Sequence, residues 1–309
     1  MAVRLARSRQ GSIKVLSNLG ALLVVLAWGT SFLSSKVLMV NGEFSPVEVF
    51  VYRFTFAYFL LLIFTFKKLR ANNWRDELFL LLCGLCAGSI YFVSENYALE
   101  YTSAGNVSLL VSISPIFTTI LMAVIYRFMP KPNVIMGSVV AFIGVACIIF
   151  SSGEGLEFNP LGDMIALSAS LSWGIYTILV KRLSPIYSSL FITRKLFFYG
   201  LITALPLLFI QRQPLHLHLL FDFKQPVYLY NFLFLGLMCS AVAYLIWNEV
   251  MKTLGSIKAN NYLYLQPLVT MIAGYFLIDE QIHFLGYLGC CLIIGGILFS
   301  DKISRVRKV

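Results

Sequence analysis

The chain has 309 residues, of which 59% are hydrophobic and 12% charged, and its formal net charge is +10. Soluble domains carry roughly 25% charged residues, so this composition excludes an ordinary soluble fold. The basic residues neither gather on one segment nor form a known binding motif, so the charge does not indicate nucleic acid as a partner. All six cysteines fall inside apolar runs, a pattern that indicates no disulfide framework.

Apolar runs long enough to cross about 30 Å of hydrocarbon recur along the whole chain. The basic N-terminal stretch leads into a run too long for a secretory signal, so we expect it to be retained. In chain order the runs predict ten transmembrane helices, spans 1 to 10, at roughly 17–39, 47–66, 78–98, 103–127, 133–151, 161–180, 189–211, 229–250, 259–278 and 284–300. The predicted fold class is an all-α membrane protein.

The Lys and Arg residues of the connectors predict how these helices are oriented. Short cytoplasmic loops are enriched in Lys and Arg, and this asymmetry determines how helices insert. With the N-terminus inside, nearly all basic residues of the connectors fall on the cytoplasmic side, and the outer connectors hold only Arg212 and Lys224. We therefore expect both termini in the cytoplasm, with the bacterial inner (plasma) membrane as the location.

The chain contains an internal repeat. Trp28-Gly29 recurs as Trp173-Gly174, an offset of 145 residues. A second set of matches at an offset of 152 residues pairs Asn96, Pro115, Gly137 and Gly144 with Asn248, Pro267, Gly289 and Gly296. These offsets predict two domains, 1–152 with spans 1–5 and 153–309 with spans 6–10. Since each half has an odd number of spans, the halves have inverted topology, which supports alternating access in secondary transporters.

Several segments resemble the drug/metabolite transporter superfamily, specifically its EamA-like families of ten-helix metabolite and amino-acid exporters. The resemblance covers essentially the whole chain, and it rests on LAWGTSF, LSWGIYT, NYALEYTSAGNVSLLVSISPIF, LYLQPLVTMIAGYFLIDE and HFLGYLGCCLIIGGILF. The chain departs from the family at Phe128, where the family usually has an acidic residue, whereas the second half keeps Glu280. This departure weakens the idea that paired carboxylates at these positions drive transport.

Two ionisable residues deep within spans are candidate site residues, because such groups are costly in hydrocarbon. Glu95 could exchange a proton or bind a substrate ammonium group, and Arg53 could neutralise Glu95 or hold a carboxylate. The alternative is a purely structural Glu-Arg pair. Lys36, Glu48, Lys195 and Glu249 lie within two turns of a span end, where extension of the side chain to the interface explains them.

The duplicated tryptophans and prolines also fall near mid-membrane. A buried indole N–H needs a partner, so Trp28 and Trp173 either bind another helix or face a polar cavity. Pro115 and Pro267 are either packing kinks or hinges beside such a cavity. The predicted substrate-binding residues are Trp28, Arg53, Glu95, Asn96, Ser112, Trp173, Tyr176, Asn248, Tyr264 and Gln266.

The function that these features favour is secondary active transport. The sequence has no nucleotide-binding motif that would supply energy from ATP. It also has no nucleophile-base pair deep in the spans, which an intramembrane enzyme would require. The resemblance implies export of small amphipathic metabolites such as amino acids. The expected partners are this solute, a coupling proton and the bilayer, and the expected state is a monomer or weak dimer. A passive facilitator or a lipid-linked flippase is the alternative. No cofactor is expected and no metal, since Cys83-x-x-Cys86 is typical of helix packing and His216-x-His218 lies in an outer connector.

Overall fold

The computed structural model describes residues 2–101, 104–151, 159–210, 215–222, 224–278 and 283–302. Every secondary-structure element within these ranges is a helix. The α-helices are α1 (Ala2–Lys36), α2 (Pro46–Thr65), α3 (Trp74–Gly84), α4 (Tyr91–Tyr101), α5 (Ala104–Val111), α6 (Ser114–Tyr126), α7 (Pro132–Ser151), α8 (Pro160–Leu183), α9 (Ser189–Ile210), α10 (Pro226–Leu233), α11 (Ala243–Leu254), α12 (Ser256–Asn261), α13 (Gln266–Ile278) and α14 (Phe284–Lys302). Wider π-helical turns extend α1 at Val37–Asn41, join α3 to α4 at Leu85–Ile90 and join α10 to α11 at Phe234–Val242.

Eight helical stretches among the described residues are long and apolar enough to cross a membrane. They are Gly11–Met39, Pro46–Thr65, Trp74–Glu95, Val107–Tyr126, Pro132–Ser151, Pro160–Leu183, Ser189–Ile210 and Pro226–Leu254, which correspond to spans 1 to 8. Many of their large apolar side chains point outward, such as Phe64 and Val124, which are 68% and 69% exposed. Lipid is the solvent that accepts such a surface, so the predicted helical membrane character is confirmed.

The two remaining predicted spans have a different form. Span 9 is divided into α12, a short 3-10 turn at Tyr262–Leu265, and α13. Span 10 corresponds to α14, whose described apolar part, Phe284–Ser300, is shorter than the other stretches.

The two repeated prolines lie at helix breaks. Pro115 is in the first turn of α6, after α5 has ended at Val111. Pro267 is the second residue of α13, after the 3-10 turn. The interruption expected at each proline takes the form of a helix break, because proline lacks the N–H that a helix interior requires but fits a first turn. Each proline therefore marks a joint between two helical segments.

Helices α7 and α14 pack along each other in opposite directions through glycines. A β-carbon on Gly137 would lie 2.5 Å from the carbonyl oxygen of Gly296, and one on Gly144 would lie 2.7 Å from that of Gly289. These distances leave no room for a side chain. The backbones approach so closely because small residues line both faces, as is common for helices packed in lipid.

Two adjacent glycines of α14 test this packing directly. A β-carbon on Gly296 would lie 2.5 Å from the Gly137 carbonyl oxygen, whereas one on Gly295 would meet nothing within 4 Å. We expect Gly296→Ala to lower the free energy of unfolding by about 1–3 kcal/mol through overpacking. Gly295→Ala, the matched control, should be neutral or stabilising because alanine favours helix. Thermal unfolding of the purified protein in detergent measures both, and equal effects would contradict the close contact.

Candidate functional site

The two repeated tryptophans meet in the interior of the protein. The rings of Trp28 on α1 and Trp173 on α8 lie edge to face, with their centroids 5.6 Å apart. Tyr244 and Trp247 of α11 lie 5.3 and 5.2 Å from Trp28. Tyr91 at the start of α4 lies 5.5 Å from Trp173. We call these five residues the aromatic cluster; it combines helices from both predicted halves.

Each indole N–H of the repeated pair has a partner on another helix. Trp28 Nε1 donates to the carbonyl oxygen of Cys239 at 2.8 Å, and Trp173 Nε1 donates to Asn260 Oδ1 at 2.9 Å. Of the two possibilities for these groups, the structure has the bond to another helix. The rings themselves pack against the other aromatic side chains. Both tryptophans therefore hold helices together while their ring faces form the central cluster.

Trp28 is 7% exposed and Trp74 is 72% exposed, so the two provide a matched pair for substitution. Trp28→Ala should lower the free energy of unfolding by about 3 kcal/mol or more, because it leaves a cavity and an unbonded Cys239 carbonyl. Trp28→Phe should cost less, since it keeps most of the ring contacts. Trp74→Ala should change the stability by less than about 0.5 kcal/mol. Thermal unfolding in detergent gives the three values, and equal losses for Trp28→Ala and Trp74→Ala would refute the assignment.

Arg53 of α2 lies beside the aromatic cluster and is only 6% exposed. Its Nε donates to Ser240 Oγ at 2.8 Å, and its guanidinium carbon lies 5.3 Å from the ring centroid of Phe92. Glu95 acts on it electrostatically, but the two groups form no ion pair within 4.0 Å. Among the described residues, Ser240 is the only hydrogen-bond partner of Arg53. The terminal guanidinium N–H groups are left available.

Glu95 completes this charged pair from α4. Its side chain is part-exposed, unlike that of Arg53. Within the described part of the chain, its carboxylate has no hydrogen-bond partner. The predicted structural Glu-Arg pair is thus present only as a longer-range attraction, which leaves both groups able to bind a third one.

A hydrogen-bonded chain lies behind Trp173. The Tyr176 hydroxyl donates to Asn248 Oδ1 at 2.7 Å, and Asn248 Nδ2 donates to Thr193 Oγ1 at 2.8 Å. Tyr176 and Asn248 are 0% and 1% exposed. Since their polar atoms are already paired with protein, these two predicted substrate-binding residues join α8, α9 and α11 in this conformation.

The other predicted site residues lie elsewhere. The Ser112 hydroxyl donates to the Ser108 carbonyl of its own helical segment at 2.8 Å. Tyr264 packs with α7 and α14, where its hydroxyl faces the Ser138 hydroxyl without a hydrogen bond of normal geometry. The carbonyl oxygen of Gln266 accepts from Thr270 at 3.1 Å. The side chain of Asn96, and Glu280 as a whole, lie outside the described residues.

Several members of the site were missed by sequence reasoning. Tyr91, Tyr244 and Trp247 surround the two predicted tryptophans, and Phe92 lies against Arg53. Trp247 Nε1 is buried and has no hydrogen-bond partner in the part of the chain that the structure describes. The sequence contained a signal for one of them, because Trp247 is the repeat equivalent of Glu95 at the 152-residue offset. An aromatic residue in a span is otherwise indistinguishable from one that faces lipid or packs between helices.

Of the four charged groups near span ends, Lys36 and Glu249 are exposed as expected, whereas Glu48 and Lys195 are buried, contrary to the expectation. Glu48 is 1% exposed and Lys195 is 5% exposed. Glu48 binds His216, and Lys195 binds Glu77. They are covered because connectors from the other half of the chain fold over them, which a one-dimensional pattern does not reveal.

Comparisons with known proteins agree with this architecture. The profile of the EamA-like transporter family matches residues 15–150 and again residues 160–300. An uncharacterized transporter of Archaeoglobus fulgidus is 28% identical over 290 residues, which cover 90% of this chain and 94% of that protein. A protein of Streptantibioticus cattleyicolor named "Probable terminal-alkyne amino-acid exporter" is 27% identical over 239 residues, 77% of this chain and 78% of that protein. A crystal structure with a TM-score of 0.75 and 17% identity covers 94% of this chain and 98% of its own, and thus has the same fold. The chain is a multi-pass membrane protein that belongs to the EamA-like transporter family.

Proposed function

We propose that this transporter is a secondary active exporter of a small amphipathic metabolite that carries a carboxylate, such as an amino acid. The observation that supports this most is Arg53, a buried cation oriented by Ser240 whose remaining donors have no partner among the described residues. An unpaired buried charge is costly, so a site that keeps one is suited to an anionic ligand group. Guanidinium matches a carboxylate with two parallel hydrogen bonds.

The surroundings of Arg53 match the rest of such a solute. Glu95 provides a negative charge for a substrate ammonium group or a site for the coupling proton. The aromatic cluster provides apolar walls, and a mostly apolar site with a few directed polar groups is typical of small-molecule binding. Trp28, Arg53, Glu95 and Trp173 are therefore the proposed substrate contacts, with Pro115 and Pro267 as hinges at the two helix breaks.

The proposed mechanism is alternating access by two inverted five-span repeats, residues 1–152 and 153–309, with spans 9 and 10 also crossing the membrane. The contacts between α7 and α14 support it. Gly137 and Gly289 occupy equivalent positions in the two halves, and so do Gly144 and Gly296. Gly137 contacts Gly296, and Gly144 contacts Gly289. Reciprocal contact of this kind is the mark of a two-fold axis. The two successive matches to the family profile also support a duplication.

Transport in proteoliposomes tests the proposal. Vesicles containing the purified protein are loaded with a mixture of radiolabelled amino acids, and efflux is followed with and without an imposed proton gradient. We expect efflux that the gradient accelerates, and amino-acid amides, which lack the carboxylate, should not compete. Equal rates with and without the gradient would favour a passive facilitator, and scrambling of labelled lipid without solute efflux would favour a flippase. The same assay in cells would test the proposed plasma-membrane location.

A further inference from the structure

Helices α2 and α9 lie side by side and are tied together at both ends. At one end, the connector that follows α9 binds the start of α2. At the other end, the connector that follows α2 binds the start of α9. The two helices therefore run in opposite directions, and each tie joins the first half of the chain to the second.

The first tie is centred on Glu48 at the start of α2. Its Oε1 accepts the backbone N–H of His216 at 2.7 Å and the Tyr52 hydroxyl at 3.0 Å. Its Oε2 accepts the backbone N–H of Ser45 at 3.0 Å and lies 3.1 Å from His216 Nδ1. Ser45 contributes only its backbone, so we call the other three residues, Glu48, Tyr52 and His216, the Glu48 latch. The Phe44 ring, 5.8 Å from the His216 ring, covers it.

The second tie is centred on Glu77 in the first turn of α3. Its carboxylate accepts from the Lys195 ammonium and the Tyr199 hydroxyl of α9, and from the backbone N–H of Ala71 at 2.8 Å. We call these four residues the Glu77 latch. Both latches consist of charge-assisted hydrogen bonds, which are about twice as strong as neutral ones.

Neighbouring contacts reinforce the Glu77 latch. Arg194 donates to the carbonyl oxygens of Thr65, Lys68 and Leu69 at 3.0–3.1 Å, which closes the end of α2. The Tyr187 hydroxyl donates to Asp76 Oδ2 at 2.6 Å. Burial and this bond to a carboxylate raise the pKa of Tyr187, so the hydroxyl remains a donor at physiological pH.

The latches lie at opposite faces of the molecule and at corresponding places in the repeat. From Glu48 to Thr65, α2 rises about 26 Å, close to the thickness of the hydrocarbon core. Glu48 corresponds, at the 145-residue offset, to position 193, which is next to Arg194. Arg53 lies on α2 between the two latches. The helix that carries Arg53 is thus bound at both ends by hydrogen bonds between the halves.

We infer that the Glu48 latch and the Glu77 latch are the opposed gates of the transport cycle, so that release of one opens the Arg53 site to that face while the other stays closed. This inference rests on the proposed alternating access. Each latch is a polar contact between the two halves of the chain. Both are closed in this structure.

Access of a thiol reagent to the site tests the gates without any transport substrate. Tyr91, which contacts Trp173, is replaced by cysteine in a chain whose six native cysteines are alanine. A membrane-impermeant maleimide is then added to one face of oriented proteoliposomes. Glu48→Ala should raise labelling from the predicted outer face at least about tenfold and lower it from the cytoplasmic face. Glu77→Ala should have the reverse effect.

Matched controls separate the gates from local helix caps. Ser45→Ala and Asn73→Ala remove the side-chain caps of α2 and α3 but keep the charged contacts, so labelling should equal that of the parent. His216→Ala and Lys195→Met break the same latches from the other half, and they serve if a glutamate variant does not fold. His216→Ala should shift labelling in the same direction as Glu48→Ala, and Lys195→Met in the same direction as Glu77→Ala.

Two results would contradict the inference. The first leaves the proposed function intact, and the second contradicts the proposed function as well. If the parent is labelled from both faces and the latch variants leave both rates unchanged, or raise both equally, the latches are fixed ties and the proposed function stands. If no variant is labelled from either face, the site does not alternate, and the proposed function fails as well.

Discussion

Replacement of Arg53 by methionine is expected to reduce carboxylate-dependent transport at least about 100-fold, because a bidentate interaction of about 3 kcal/mol would be lost. Methionine keeps an unbranched apolar chain like the arginine stem and carries no charge. Replacing a buried charge with an apolar side chain is often neutral or stabilising. We therefore expect the thermal unfolding temperature in detergent to stay the same or rise. Radiolabelled efflux from proteoliposomes and thermal unfolding measure the two effects.

The combination of lost transport and kept stability distinguishes a substrate contact from a structural role. Arg53→Lys, which keeps the charge but not the planar fork, should retain part of the activity. Ser240→Ala should weaken transport less than Arg53→Met, since it removes only the group that orients the guanidinium. If Arg53→Met unfolded the protein, or transported like the parent, Arg53 would not be the carboxylate-binding residue.

Replacement of Glu95 by glutamine is the second large effect, with gradient-driven transport expected to fall at least about tenfold. Glutamine is isosteric but neither titrates nor attracts a cation. Exchange of labelled for unlabelled solute at equal concentrations, without a gradient, distinguishes the two possible roles. Retained exchange indicates that Glu95 carries the coupling proton, and lost exchange indicates that it binds the substrate ammonium group.

Glu249→Gln is the matched control for Glu95→Gln. Glu249 lies in the same span as Trp247 but is exposed, and it accepts a hydrogen bond from Ser189 at 2.7 Å. We expect both assays to match the parent for this variant. Gradient-driven transport that was unaffected by Glu95→Gln would assign Glu95 to helix packing alone.

The membrane helices could be read from the sequence because hydrocarbon imposes a one-dimensional requirement. Each spanning segment must satisfy its own backbone hydrogen bonds and present apolar side chains over about 20 residues. This condition is local, so the runs of spans 1 to 8 were recognisable residue by residue. Trp28 and Trp173 were recognisable from the sequence as repeat equivalents near mid-membrane. Their contact, with ring centroids 5.6 Å apart, was shown only by the tertiary structure.

The identity of side chains that complete the site was decided only by the tertiary structure. Arg53 is oriented by Ser240, 187 residues away, and no local pattern links them. Glu48 and Lys195 looked like interfacial charges because they lie near span ends. They are buried because the connector of one half folds over the helix start of the other. The sequence determined which segments enter the membrane, since that depends on each segment alone, whereas the charged site and its two latches depend on which segments meet.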